Sequence, residues 1–187
     1  MKEQRTFIAF ELPENIVACL ERLQQALKQH ELNIRWVKPQ NIHLTLKFLG
    51  AIPVGNYPEI ESAIKLTTQA FEPPALCVTG MGVFPTIKNA RVLWTGLGGE
   101  TETLVKLHQN LETQLAFLGI QKENRPFKAH LTLGRIKKRV VAAQLLKAIK
   151  ACCEFKPLDF SAKHVVLYQS DLKPNGAVYT PLFKASL

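Results

Sequence analysis

Two histidine–threonine pairs stand out in this sequence: His43 with Thr45, and His130 with Thr132. Residues 43–46 read His-Leu-Thr-Leu, and residues 130–133 read the same tetrapeptide again. Each copy has a glycine close behind it, Gly50 and Gly134. Alternate side chains of a strand share a face. Each copy therefore sets an imidazole and a hydroxyl on one side and two leucines on the other. The leucine side is core. A merely wet face would accept Lys, Glu or Ser equally well, so the same two polar types in the same order point to chemistry.

Two imidazoles and two hydroxyls suit phosphodiester cleavage. A neutral imidazole takes a proton from the attacking oxygen, and a protonated one supplies the departing oxygen. Both forms exist near neutral pH because imidazole titrates near ~6.5. The threonine hydroxyls can donate to the phosphate oxygens as charge builds, each placed donor being worth roughly 3–4 kcal/mol. No metal or other cofactor is required. The rival readings are structural histidines and a zinc site. Zinc needs three or four ligands, and neither motif has Cys, Asp or Glu at ligand spacing. His108, beside Leu107 and Leu111, reads as a partly exposed helix residue. His30 ends a helix, where a cation suits the dipole, and His164 opens a strand with no partner in sequence. Cys19, Cys77, Cys152 and Cys153 form no CxxC and read as idle thiols in a reducing compartment.

Several elements must hold the motifs. Thr6–Phe10 reads as a strand and residues 14–30 as a helix with Ile16, Leu20, Leu23 and Leu27 on its buried face. Trp36-Val37 and Ile42 to Leu49 read as strands, the latter closed by Gly50. A weaker helix spans 57–70. Leu76–Val78 and Arg91 to Leu97 read as strands around a loop from Gly82 to Asn89. Leu104, Leu107, Leu111, Leu115 and Leu118 mark a helix that Gly119 stops. Phe127 to Gly134 reads as a strand, and Val141, Leu145, Ile149 and Cys152 as a helix. Phe160-Ser161, His164 to Gln169 and Val178 to Phe183 read as strands, with a turn at Pro174-Asn175-Gly176. The pattern is α+β with antiparallel sheets. The expected architecture is a single domain, 1–187, of two pseudo-twofold lobes that bring the motifs face to face across a cleft, helices outside.

Length and charge agree. At 187 residues the chain is one domain or two small lobes sharing a core. It has 24 Lys and Arg against 15 acids, a net charge of +9. That balance favours a polyanionic partner. Lys38, Lys47, Arg125, Lys128, Arg135, Lys137, Lys138 and Arg139 lie in or beside the motif segments and read as a cationic rim. The run Lys137–Arg139 reads equally well as a solvated turn. No apolar run approaches the ~20 residues of a membrane span, and no leader segment is apparent. A cytoplasmic monomer is expected.

The sequence resembles the two-histidine phosphoesterases, specifically the LigT-type RNA 2′,3′-cyclic phosphodiesterases, also described as 2′-5′ RNA ligases. The resemblance runs through Phe7–Pro13, Asn41–Gly50, Arg91–Trp94, Asn124–Arg135, Leu167–Ser170 and Tyr179–Leu182. It implies a bilobal α+β fold and hydrolysis of a 2′,3′-cyclic phosphate, on RNA or a nucleotide, to a 2′-phosphomonoester. It implies that His43 is the acid for the leaving 3′ oxygen and His130 the base for water. Thr45 and Thr132 would bind phosphate, Arg135 would help hold it, and Phe48 would wall the base or ribose. Arg135 as a surface cation, Phe48 as a core aromatic, and the whole fold as a non-catalytic binder of RNA ends or nucleotides stay open as alternatives.

Overall fold

The computed structural model describes residues 2–153, 155–174 and 176–187. The chain begins with strand β1 (Glu3–Phe10), helix α1 (Glu14–Lys28) and a short β2 (Arg35–Trp36). There follow β3 (Leu44–Pro53), α2 (Tyr57–Thr68), β4 (Ala75–Phe84), β5 (Val92–Gly99) and α3 (Thr101–Ala116). The remainder is β6 (His130–Arg135), α4 (Ala142–Cys152), β7 (Leu158–Ser161), β8 (His164–Lys173) and β9 (Gly176–Ser186). Asn175, at the centre of the expected turn, lies outside the described residues.

The strands build two antiparallel sheets, one ordered β3-β1-β8-β9 and the other β2-β6-β5-β4-β7. The fold is α+β, and each sheet carries one motif: at β6, which opens with His130, and at β3, which opens at Leu44 so that Ile42 and His43 lie just ahead of it rather than in the expected strand. The two sheets are not built from the two halves of the sequence. The C-terminal hairpin β8–β9 completes the first sheet alongside β1, while β2, from the first half, edges the second. The helices cross over as well. α1 packs with α4 and reaches β6 through Gln24, while α2 packs with α3 and against β8 and β9. Each motif strand is thereby gripped by parts of the chain remote from it, and one core joins both sheets.

The apolar periodicity located the helices. Ile16, Leu20, Leu23 and Leu27 of α1 are buried, as are Leu104, Leu107, Leu111 and Leu115 of α3. Gly119 follows α3 at φ +79°, a left-handed conformation that suits glycine. Val141 differs from expectation: it is the exposed residue capping α4 rather than part of its buried face.

Three strand readings need correction. β4 continues through Gly82 to Phe84, where a loop was expected. Gly82 is there because the Trp94 indole occupies the space a side chain would take. β3 continues past Gly50 to Pro53, with Gly50 in a left-handed conformation opposite Thr6. Phe127, Lys128 and Ala129 lie ahead of β6 rather than in it, and the Phe127 ring stacks on His108 at 4.1 Å. Among the described residues, no helix is long and apolar enough to cross a membrane.

Candidate active site

Both motifs carry a β-bulge at the same position. Ala9 pairs with Thr45 and Ile8 with Lys47, leaving Leu46 as the extra residue. Trp94 pairs with Thr132 and Leu93 with Gly134, leaving Leu133 as the extra residue. A bulge re-aims the side chains that follow it. Strict alternation would give Lys47 and Gly134 to the His/Thr face and bury the residue after each. Instead Lys47 and Gly134 are buried, opposite Ile8 and Leu93 of the core, and Phe48 and Arg135 come out. Phe48 is 56% exposed, which excludes the core-aromatic alternative. Phe48 and Arg135 thus hold equivalent places, two bulged steps beyond Thr45 and Thr132.

A bulge also leaves a carbonyl outside the ladder, and buried polar groups must find partners. The Leu133 carbonyl accepts from Gln24 Nε2 at 2.8 Å and from the Val37 N–H at 3.0 Å. At the second motif a buried polar side chain from a crossing helix, Gln24 of α1, secures the bulge. The buried Lys47 beside the Leu46 bulge is tied to α3 through Glu112 Oε1 at 2.8 Å.

The two imidazoles are held alike. His43 Nδ1 lies 2.7 Å from the Asn41 carbonyl, and His130 Nδ1 lies 2.7 Å from the Lys128 carbonyl. A carbonyl can only accept, so both Nδ1 atoms carry hydrogen and each Nε2 is left to exchange protons. Aromatic rings brace both. His43 meets Phe7 at 4.6 Å and the edge of Tyr179 at 5.3 Å. His130 meets Phe84 edge-on at 5.0 Å and Trp94 at 6.4 Å. Phe7 also stacks on Tyr168 at 5.2 Å and approaches Phe48 at 6.0 Å. Lys128 Nζ lies 5.9 Å above Phe84. Thr45 and Thr132 are half-buried, on the same faces as their histidines.

Electrostatics link the two strands. Burial is the main force lowering the His43 pKa to about 4, opposed by the Asn41 hydrogen bond and aided by the charges of His130 and Arg135. His130 and Arg135, on the second sheet, therefore act on His43, on the first. The Arg135 charge is felt at Tyr179 too, though burial is the larger influence and raises that phenol. Burial, with the Glu11 charge second, pushes Tyr168 up to about 12. The structure thus brings His43, His130, Phe48 and Arg135, with the two threonines, to facing surfaces of the two sheets.

Other expectations fare differently. Lys47 does not belong to the cationic rim: it is 3% exposed and paired with Glu112 Oε1 at 2.8 Å. Lys38, Arg125, Lys128, Arg135, Lys137, Lys138 and Arg139 are at least partly exposed. His108 is buried, not partly exposed, because α3 turns it toward β3 and Phe127. His164 has a partner, with Nδ1 3.7 Å from Glu11 Oε2, a carboxylate shared with Lys184. The four cysteines are free and half-buried. Among the described residues, no group of three or more His, Cys, Asp or Glu is arranged to hold a metal ion. Phe84, Tyr168 and Tyr179 enter the site without having been singled out for it. The two tyrosines sit in sequence segments that carried the resemblance, and only the sheet order places them beside Phe7 and His43.

Two antiparallel sheets, each presenting a bulged His-x-Thr strand to the other, define a two-histidine phosphoesterase. The chain belongs to the LigT-like phosphoesterase family, whose profile matches residues 10–94 and 98–179. It is 32% identical, over 95% of its length and 96% of the relative's, to a Methanothermobacter thermautotrophicus protein named RNA 2′,3′-cyclic phosphodiesterase. A Thermus thermophilus protein of known structure, TT0787, superposes with a TM-score of 0.81 at 28% identity, covering 98% of this chain and 97% of that one. Escherichia coli LigT complexed with 3′-AMP gives a TM-score of 0.72 at 27% identity, covering 99% and 98%.

Proposed function

We propose that this protein hydrolyses 2′,3′-cyclic phosphates, on RNA ends or nucleotides, to 2′-phosphomonoesters without a metal. The observation that carries the reading is the matched pair of imidazoles, each with Nδ1 tied to a carbonyl two residues back. The name of the Methanothermobacter relative and the nucleotide complex of LigT support the substrate class. The exposed cations beside the site suit an RNA end.

In this reading water attacks phosphorus from the His130 side and gives its proton to His130 Nε2. A P–O bond to water forms, and the bond from phosphorus to the 3′ oxygen breaks. The 3′ oxygen takes a proton from Nε2 of protonated His43. Thr45, Thr132 and Arg135 stabilise the charge on the non-bridging oxygens. Phe48, exposed beside Phe7, offers a surface for the base or ribose. A second reading exchanges the two histidines, and the low pKa of His43 favours it, since a neutral imidazole is a base. A cyclic substrate with sulfur in place of the 3′ oxygen separates the two, because a thiolate leaves without a proton. That substrate rescues His43→Ala if His43 is the acid, and His130→Ala if the roles are exchanged.

The primary test is incubation with a nucleoside 2′,3′-cyclic phosphate in EDTA, with identification of the product isomer. Turnover to the 2′-phosphate is expected. Absence of turnover, together with binding of RNA ends that the histidine variants lose, would replace the enzyme by a binding protein. Loss of turnover in EDTA with recovery on adding zinc or magnesium would overturn the metal-free mechanism.

A further inference from the structure

Lys47 directly follows the first motif, and its charge is spent entirely inside the protein. Nζ lies 2.8 Å from Glu112 Oε1 and donates to the Gln121 carbonyl at 2.7 Å. Glu112 Oε2 accepts from the Glu123 N–H at 2.9 Å. Glu112 Oε1 is also 3.8 Å from His108 Nε2, and the His108 ring lies flat on Phe127, 12° from parallel. The cluster therefore holds three points on the segment between α3 and β6: Gln121, Glu123 and Phe127. The next residue is Lys128, whose carbonyl orients His130. At its other end the cluster holds β3 just beyond Thr45, through Lys47 itself.

A buried ion pair is a poor way to gain stability. Desolvating both charges costs several kcal/mol per ion, and well-packed apolar replacements are often neutral or better. This pair ties the strand of the first histidine to α3, and its further bonds to Gln121 and Glu123 reach the segment that leads to the second. We propose that Lys47, Glu112 and His108 are positioning residues that set the separation and orientation of His43 and His130 by clamping segment 121–129 to β3. The functional part of this inference rests on the two-histidine reading; the mechanical part does not. A misplacement of about 1 Å between reacting groups can cost ~10²-fold in rate, so a clamp of this kind acts on turnover more than on binding.

The experiment replaces the pair rather than breaking it. Lys47→Met with Glu112→Leu removes both charges and the anchors on Gln121 and Glu123. Lys47→Met with Glu112→Gln removes the charges but keeps an acceptor for the Glu123 N–H. The apolar double variant should retain the wild-type melting temperature within a few degrees. Its kcat on a nucleoside 2′,3′-cyclic phosphate should fall about 10–100-fold, with KM changed less than about threefold. The glutamine version, which keeps the anchor on Glu123 but not those made by Lys47, should lose less kcat than the apolar pair and more than none. Amide exchange at residues 121–130 should speed up in the apolar variant, and the His130 ring resonances should shift as the Lys128 carbonyl moves. An apolar variant with wild-type kcat overturns the proposal, as does a rate loss that merely tracks loss of folded protein. If the apolar pair does not fold, the glutamine variant carries the comparison, and a wild-type kcat there overturns the proposal, because it too lacks the Lys47 links to Glu112 and Gln121. If the wild type itself turns over no cyclic phosphate, the two-histidine reading fails. The exchange and NMR measurements then decide the clamp alone, and unchanged signals in the variants refute it.

Discussion

Binding of a phosphate should change the protonation of His43. In the free protein its pKa is about 4, so at pH 7 the ring is neutral. Acting as an acid requires the opposite. A cyclic phosphate brings one negative charge between the imidazoles. At ~4 Å and an effective dielectric constant of ~20 that charge attracts an imidazolium by about 4 kcal/mol. At 1.36 kcal/mol per unit this is a rise of roughly 3 units, from about 4 to about 7. The substrate then supplies the field that charges its own acid, against burial and the charges of His130 and Arg135. The assay is NMR titration of the His43 ring, alone and saturated with a nucleoside 2′-phosphate that is not turned over. The free ring should titrate near 4, and the saturated ring should titrate several units higher, with proton uptake on binding at pH 6. Arg135→Gln should raise the free value, since a repelling charge is gone. A His43 titration that does not move when the ligand binds would refute the reasoning and leave the exchanged roles as the better account.

His43→Ala and His130→Ala should each lower kcat about 10²–10⁴-fold, with the double variant far less than multiplicative, measured on a cyclic nucleotide with folding checked by circular dichroism. Thr45→Val and Thr132→Val keep the branched shape of the strand and should lose less. Stability should fall as the pH drops from about 6.5 to 4, because the unfolded chain protonates His43 more readily than the folded one does. The loss from this group is about 3 kcal/mol, and a folded His43→Phe variant should show a correspondingly flatter urea midpoint across that window. Gln24→Leu strips a partner from the carbonyl of Leu133 and should cost roughly 1–3 kcal/mol in chemical denaturation.

The repeated tetrapeptide was legible without coordinates because side-chain chemistry and the two-residue period of a strand are local properties. So were the helices, whose leucine spacing marks a buried face wherever the helix packs, and the α+β class that follows from the order of the elements. The bulges at Leu46 and Leu133 were not legible. An extra residue in a strand is defined by the partner strand that skips it, and those partners, Ile8 with Ala9 and Leu93 with Trp94, lie far away in sequence. Those two bulges decide that Lys47 goes inward to Glu112 and that Phe48 and Arg135 face outward, the reverse of what alternation dictates. Sheet order likewise brings Tyr168 and Tyr179 from the end of the chain to the first histidine. The inward turn of His108 depends on which way α3 docks. The histidines and threonines announce themselves by type and spacing. Their tautomers are set locally, by carbonyls two residues back, whereas their separation and the depressed pKa of His43 arise only when two sheets, built from interleaved parts of the chain, close on one another.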